Sequence, residues 1–423
     1  MTAEDAIAYI ENYTWSESKM GLERTVELLR KLGDPQKKCR FVHVTGSNGK
    51  GSTCAMTASV LAAAGYRTGM FTSPHVCDFN ERIRINGVNI PNEALAAITE
   101  DVAKIADAME DHPSQFELIT AIAMEHFYRE KCDIVVLEVG MGGELDSTNV
   151  IDAPVVAAFT NIGLEHTEYL GNTLAQIAST KAGIIKPGCS VVCYESEREA
   201  VDTIRRICEE KNVPFVIAGD EAELIGVSLE GQKFSYHGRC YEIRLCGQHQ
   251  LRNAVVALEI IDILLRKGFE ITEEQIREGL KQTVWPARFE VLRKDPPFIL
   301  DGGHNPQCAL ALIQTLDQVL PDKKVRFLTG VLADKDYELI AERIAPYAKE
   351  CICVKPDNPR ALEADAYAEV FRKRGIPAIA AESVESGVDL VLEQAEDAPV
   401  VAFGSLYMAG RIRELVLEKD LIR

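Results

Sequence analysis

The sequence predicts an α/β protein: a P-loop-type, mostly parallel sheet domain followed by a smaller Rossmann-like α/β domain. Three observations carry that expectation. Short apolar strands alternate with helix-length stretches along most of the chain, the pattern of a parallel sheet with helices on both faces. A glycine-rich loop, Gly46-Ser-Asn-Gly-Lys-Gly-Ser52, lies between a strand and a helix. A second alternation begins after Trp285-Pro-Ala-Arg-Phe and Asp295-Pro-Pro interrupt the first. The expected domains are residues 1–285 and 286–423.

Residues 2–32 read as two short helices around a polar turn, with apolar residues of Gly21–Arg30 at helical spacing. Phe41–Thr45 is a strand, and Ser52–Ala64 is small and apolar enough for a buried helix. Further strands are expected at 67–71, 133–139, 155–161 and 190–194, with helices at 93–109, 116–130 and 173–183. Residues 214–246 change to short alternating runs such as Lys233-Phe-Ser-Tyr-His237, read as antiparallel strands beside the main sheet. Helices at 253–267 and 272–282 complete the first domain. In the second, strands at 298–300, 325–329, 350–354 and 400–403 alternate with helices at 306–319, 335–347, 363–374 and 383–395.

Composition narrows the function. The 423 residues are 47% apolar and 26% charged, which excludes disordered, fibrous and disulfide-knotted classes. Lys and Arg number 46 against 65 Asp and Glu, a net charge of −19 that argues against nucleic acid or an anionic membrane as partner. No apolar run reaches the ~18 residues of a membrane span. The acidic start Met1-Thr-Ala-Glu-Asp5 does not resemble a signal peptide, so a cytoplasmic protein is expected. The twelve cysteines form no CxxC pair and are expected as buried free thiols.

The glycine-rich loop is the strongest chemical signal. Consecutive backbone N–H groups and a helix N-terminus hold phosphates, and Lys50 reaches the terminal ones. The strict pattern G-x-x-x-x-G-K-[ST] is broken, since Val44 stands at its first glycine and Gly51 follows the lysine. Asp133–Glu138 is an apolar strand ending in a carboxylate, followed by glycines that allow close approach of a ligand. The structural alternative for Glu138 is a carboxylate that merely caps a strand. Ser73-Pro-His75, Thr160–His166 and Asp301-Gly-Gly-His304-Asn305 also leave strand ends, where open α/β sheets bind ligands. Lys181 and Lys186 decide nothing by themselves.

Together these motifs resemble the folylpolyglutamate synthase/dihydrofolate synthase branch of the Mur ligase superfamily. The resemblance runs from about Gly21 to Gly410. It rests on the phosphate loop, Ser73-Pro-His75, Phe79-Asn-Glu-Arg-Ile-Arg-Ile-Asn-Gly87, Leu137-Glu-Val-Gly140, Leu145-Asp-Ser-Thr-Asn149, Asn161-Ile-Gly-Leu-Glu-His166, Lys181-Ala-Gly-Ile-Ile-Lys-Pro187, His249-Gln-Leu-Arg-Asn253, Trp285-Pro-Ala-Arg-Phe289 and Asp301-Gly-Gly-His-Asn-Pro306. Glu144 stands where the family usually has Arg, Thr180 where it has Glu, and Gly303 where it has Ala. The first change adds negative charge near the implied folate side.

The resemblance implies an ADP-forming amide ligase. Asn48, Gly49, Lys50, Gly51 and Ser52 would hold the phosphates of ATP, with Asn253, Arg288 and Asp301 as further ATP contacts. Ser73, Glu138 and His166 would bind Mg²⁺. Lys181 would be carbamylated and supply a metal-facing carboxylate, and a monovalent cation is a further candidate cofactor. His304 and Ser405 would hold or activate glutamate, while Gln115, Phe116, Glu117, Leu118, Asp146, Ser147 and Thr148 would line the pterin site. Lys50, Lys181, Asp301 and His304 form the implied catalytic set.

The implied reaction joins L-glutamate to the γ-carboxylate of a (tetrahydro)folate through an acyl phosphate. The alternative acceptor is dihydropteroate, used in addition or mainly. Small molecules are then the partners, and a monomer is expected. A muramyl-peptide ligase would place a UDP-sugar domain ahead of a phosphate loop that opens here at Gly46, so that reading is expected to fail. A non-catalytic nucleotide-binding module would not need Glu138, His166, Lys181 and Asp301 together.

Overall fold

Phe41-Val-His-Val-Thr45 is buried at every position, as a strand in the middle of a parallel sheet must be. The computed structural model describes residues 1–12, 21–219, 221–393 and 398–422. Its first sheet contains β1 (Phe41–Thr45), β2 (Thr68–Phe71), β3 (Ile83–Ile85), β4 (Val88–Asn89), β5 (Ile134–Glu138), β6 (Val156–Phe159), β7 (Ser190–Tyr194) and β8 (Phe215–Ala218). Their spatial order is β4-β3-β2-β5-β1-β6-β7-β8. Strands β2, β5, β1, β6, β7 and β8 run parallel, and the β3–β4 hairpin closes one edge antiparallel. The chain leaves β1 toward β2 and later returns past it to β6. Strand order therefore reverses around β1, and a crevice opens at its C-terminal end.

Among the described residues, ten α-helices belong to this half: α1 (Ala3–Glu11), α2 (Glu23–Lys31), α3 (Lys50–Ala63), α4 (Asn92–Ala106), α5 (Gln115–Arg129), α6 (Thr167–Leu170), α7 (Leu174–Lys181), α8 (Arg198–Glu210), α9 (Gln248–Arg266) and α10 (Glu273–Gln282). Val42, Val44 and Val136 face α3 and α9, whereas Phe71, Val135 and Leu137 face α5 on the other side. Gly279 of α10 packs directly on the backbone of Val60 in α3, an approach that a side chain would prevent. A separate antiparallel sheet, β9 (Glu223–Ser228), β10 (Gly231–Tyr236) and β11 (Arg239–Ile243), turns Phe234, Tyr236, Tyr241 and Ile243 into the first core.

The second half contains β12 (Glu290–Lys294), β13 (Pro297–Asp301), β14 (Val325–Thr329), β15 (Ala348–Cys353), β16 (Ala378–Ala380) and β17 (Val400–Phe403), in spatial order β12-β13-β17-β14-β15-β16. Only β12 is antiparallel to its neighbour. Helices α11 (Pro306–Val319), α12 (Tyr337–Ile344) and α13 (Ala364–Arg372) bury one face, and α14 (Val384–Glu393) and α15 (Leu406–Ile422) the other. No helix among the described residues is long and apolar enough to cross a membrane.

The α/β architecture matches the expectation, with local differences. The polar turn between the first two helices and the end of the helix expected at 383–395 lie outside the described residues. Residues 214–218 are not antiparallel: α8 provides a crossover that returns Phe215–Ala218 as a parallel edge strand. The segment after Ser73-Pro-His75 forms the β3–β4 hairpin. Asp295-Pro296 is the turn of the β12–β13 hairpin, inside the second sheet. None of the twelve thiols is paired, but Cys77 and Cys240 are exposed and Cys39 and Cys308 half-buried, so the expectation of burial holds for eight.

Candidate active site

The loop after β1 has the shape of a phosphate cradle. Gly49 sits at φ +91°, and a side chain there would strike Oδ1 of Asn253 on α9. Gly51 lies under the Trp285 ring, where a Cβ would come within 2.9 Å of the indole. Lys50 opens α3, and its Nζ donates to the carbonyls of Gly46 (2.8 Å) and Ser47 (3.4 Å). Ser52 follows on the first turn, buried. The loop is tied to the end of β6: Ser47 N–H donates to Asn161 O at 2.7 Å, and Ser47 Oγ lies 3.0 Å from both the N–H and the carbonyl of Gly163. A helix N-terminus with an ammonium beside it has the character of an anion site.

Charged groups converge beside it. Glu138 ends β5, and its Oε2 accepts the Ser73 N–H at 3.0 Å. Burial pushes this carboxyl upward, while Lys50, the Ser73 N–H and Arg288 pull it down. Lys181, at the end of α7, donates to Glu165 Oε1 at 2.9 Å. Burial lowers the lysine to about 8, against the attraction of Glu165. For Glu165, burial acts upward, but Lys181 and Lys50 outweigh it and hold the carboxyl below its usual range. His166 is exposed, in a left-handed conformation at φ +45°. Ser73 and Glu138 thus touch, whereas no hydrogen bond joins His166 to either. Among the described residues, no three His, Cys, Asp or Glu side chains converge as a metal-binding group.

A second loop, residues 139–150, flanks the crevice. Asp146 is buried; its Oδ2 accepts the Met141 N–H at 2.8 Å, and its Oδ1 accepts the Thr148 N–H (3.0 Å) and hydroxyl (2.5 Å). Gly140 lets the Phe116 ring and the Asp146 carboxylate approach its backbone, and Phe71 tilts against Phe116 with centroids 5.9 Å apart. Gln115 and Phe116 are half-buried. Glu117 and Leu118, grouped with them by sequence, point elsewhere. Glu117 caps α5 by accepting the Ser114 N–H and pairs with Arg24 at 3.0 Å, and Leu118 lies wholly in the core. Helical geometry separates them, because four consecutive residues cannot share one face. Ser147 is buried beside Thr148.

The opposite wall comes from the second sheet. Arg288 lies between two left-handed residues, Ala287 (φ +53°) and Phe289 (φ +46°). Asp301 ends β13 with both oxygens engaged: Oδ2 accepts the Phe289 N–H (2.9 Å) and Oδ1 the Gly303 N–H (2.8 Å). Its carboxylate therefore knits the Arg288 segment to the glycine turn. His304 Nδ1 lies 3.2 Å from Gly302 O, and burial lowers its pKa. Ser405 is buried, its Oγ accepting the Tyr407 N–H at 3.2 Å. The two walls meet where Asn48 Nδ2 donates to Gln307 Oε1 at 3.0 Å and Asn305 Nδ2 reaches Asn48 Oδ1 at 3.3 Å. Gly410 of α15 also rests against the Val76 carbonyl.

Sequence reasoning did not single out Glu165 as the partner of Lys181, nor Trp285, Gln307 or His43. Only Glu165 had a local signal, the exposed strand end it shares with His166. The others depend on contacts between residues far apart in the chain.

With this geometry in view, comparison with known proteins is specific. Residues 44–261 match the family model of the Mur ligase middle domain, and residues 287–406 that of the Mur ligase glutamate ligase domain. A Bacillus subtilis protein named dihydrofolate synthase/folylpolyglutamate synthase is 36% identical over 86% of this chain and 88% of its own. A Lacticaseibacillus casei folylpolyglutamate synthase is 33% identical over 99% of both chains. The structure of Mycobacterium tuberculosis folylpolyglutamate synthase complexed with ADP and AMPPCP superposes with a TM-score of 0.89 at 28% identity, covering 98% of this chain and 99% of that one.

Proposed function

The chain belongs to the Mur ligase family, in its folylpolyglutamate synthase/dihydrofolate synthase branch, and on that premise we propose that it joins L-glutamate to a folate at the cost of ATP. It is an ADP-forming ligase in this reading, extending the γ-carboxylate of a (tetrahydro)folate. The observation that carries the proposal is the glycine loop with Lys50 on one wall, joined through Asn48 and Gln307 to the wall that bears Arg288, with the buried Glu138 within electrostatic reach of both cations. Such an arrangement suits a reaction whose main demand is to neutralise charge on a transferring phosphoryl group.

The acceptor carboxylate attacks the γ-phosphorus of ATP, ADP leaves, and glutamate's amine then displaces phosphate from the acyl phosphate. Asn48, Gly49, Lys50, Gly51 and Ser52 hold the phosphates through backbone N–H groups and the Lys50 ammonium. Asn253 abuts Gly49 and shapes the loop, while Arg288 approaches from the far wall. Asp301 serves first by holding the Arg288 segment in place. His304 and Ser405 stand where glutamate would enter from the second domain. Contact through Asn48 and Gln307 brings the two walls of the site together.

The residues present fit Mg²⁺. A hard cation that keeps phosphate oxygens and water as ligands needs one or two protein oxygens, and Glu138 with Ser73 would supply them. When bound, the ion supplies charge neutralisation between phosphate oxygens. His166, exposed after β6, would be a further ligand. Carbamylation of Lys181 requires its neutral amine, a form that burial favours. Gln115, Phe116, Asp146, Ser147 and Thr148 are proposed to line the pterin site, with Phe116 and Phe71 as its aromatic wall.

We place the domain division at 285/286, between Trp285, which packs on the phosphate loop, and β12. Both walls of the cleft come from one chain, which supports action as a monomer, and twelve unpaired thiols support a reducing, cytoplasmic setting. The Bacillus subtilis relative carries both activity names, which favours dihydropteroate as a second acceptor. The test offers purified protein, Mg²⁺-ATP and labelled glutamate with tetrahydrofolate or dihydropteroate, with and without K⁺. Glutamate incorporation dependent on an acceptor and matched by ADP release is expected. ATP turnover without incorporation would overturn the proposal.

A further inference from the structure

His43 is an unexpected residue in the middle of a buried parallel strand. It is wholly buried, between Leu137 of β5 and Ala157 of β6, in a position that usually holds Val or Ile. Its Nε2 lies 2.9 Å from Thr148 Oγ1. That hydroxyl gives its own hydrogen to Asp146 Oδ1, so it can only accept from the ring. The ring is therefore the neutral Nε2–H tautomer, and its Nδ1 is left buried without a hydrogen-bond partner. Leaving a polar atom unpaired in the core is unfavourable, and an apolar residue would avoid it. The gain must lie at Thr148.

We propose that His43 is a positioning residue for the acceptor site: through Thr148 it orients the Asp146 carboxylate, and thereby ties the acceptor loop to the strand that carries the phosphate loop. The relay is short, and its first two links are buried: His43 Nε2–H donates to Thr148 Oγ1 and the Thr148 hydroxyl to Asp146 Oδ1, while the Met141 N–H donates to Asp146 Oδ2. Strand periodicity adds a second tie, because Thr45 projects from the same face of β1 and its hydroxyl donates to Gly142 O at 2.7 Å. Lys186 braces the far end of the loop by donating to the carbonyls of Asn149 (2.8 Å) and Ile151. Of these anchors, only His43 acts on the side chain that faces the acceptor. Burial lowers its pKa to about 3, so the ring stays neutral and moves no proton.

The inference rests on the acceptor-site role proposed for Asp146, and the test separates the two. His43→Phe keeps ring volume and removes the donor, while His43→Gln places an amide N–H close to where Nε2–H stands. With tetrahydrofolate and dihydropteroate as acceptors, His43→Phe should raise the acceptor KM roughly five- to tenfold, the worth of one buried hydrogen bond. The KM for ATP should stay unchanged, and His43→Gln should restore the acceptor KM. An unchanged acceptor KM, or an equal rise for ATP, would overturn the proposal. If His43→Phe does not fold, His43→Asn, whose amide falls short of Thr148, takes its place beside His43→Gln with the same expectation. Asp146→Asn is the reference. If it leaves the acceptor KM untouched, the acceptor-site reading fails; if it raises that KM and His43→Phe does not, the role of His43 fails.

Discussion

The Lys181 ammonium lies 2.9 Å from the Glu165 carboxylate, with 1% of the lysine side chain exposed. One hydrogen bond serves an ammonium that can make three, in a site where burial brings its pKa to about 8. Such a lysine is a reactive amine as much as a charge. Lys181→Arg therefore distinguishes two roles. If the lysine acts only as a cation, arginine preserves the charge and much of the activity. If it works as a carbamate, arginine cannot be modified and sets a positive charge beside the metal. At ~4 Å and an effective dielectric of ~20, one such repulsion is about 4 kcal/mol, enough for orders of magnitude in rate. Lys181→Arg is expected to be nearly inactive, and bicarbonate should not restore it. Substantial steady-state activity in this variant would return Lys181 to the role of a simple cation.

Lys50→Ala should abolish ligation and leave the fold intact. Its Nζ holds only the carbonyls of its own loop, Gly46 and Ser47, and supports no distant packing. Circular dichroism and thermal melting should match the wild type while acceptor-dependent ADP release disappears. Turnover at the wild-type rate would mean that phosphates bind elsewhere.

Gly49→Ala should cost both stability and ATP affinity. The φ of +91° is strained by roughly 1 kcal/mol for any residue with a Cβ. Here the added carbon also meets Oδ1 of Asn253, which is held in turn by Gln250. A rise of at least tenfold in the KM for ATP is expected, together with a lower melting temperature. Wild-type values for both would show that α9 can retreat from the loop.

The chemistry should yield ADP and orthophosphate in equal amounts with each glutamate added. Lys50 and Arg288 both act electrostatically on Glu138, beside the loop whose carbonyls Lys50 holds. Product analysis by chromatography decides the matter, since AMP and pyrophosphate would require attack at the α-phosphate.

How far the sequence could be read follows the range of the interactions. The phosphate loop was legible because Gly49, Lys50 and Ser52 act through local backbone geometry within a few residues. Glu138 was legible as the polar end of an apolar strand. Asp301 was expected as a site residue from its strand end, which gave no sign that both its oxygens hold backbone N–H groups of its own wall. The ion pair of Glu117 was hidden for the same reason: its partner Arg24 is remote in sequence, and spacing along one helix says nothing of it. The edge strand Phe215–Ala218 went unrecognised as parallel because its direction depends on the crossover through α8. His43 carried no signal at all, since a histidine in an apolar run is explained only by the hydroxyl it reaches.

That histidine makes a prediction about stability. Burial, with a smaller contribution from the Lys186 charge, holds folded His43 near 3, whereas an unfolded histidine titrates near 6.5. Between those values the unfolded chain binds a proton that the folded chain refuses. The contribution is complete above pH ~6.5 and is lost as pH falls, at about 1.4 kcal/mol per pH unit. From neutral pH down to about 5, the wild type should lose about 2 kcal/mol through this residue. His43→Gln has nothing to titrate there and should lose that much less, other histidines cancelling in the comparison. Urea midpoints of both proteins at the two pH values measure the difference. Equal losses would mean that His43 accepts a proton inside the fold, which is incompatible with a ring whose only hydrogen bond is the one it donates to Thr148.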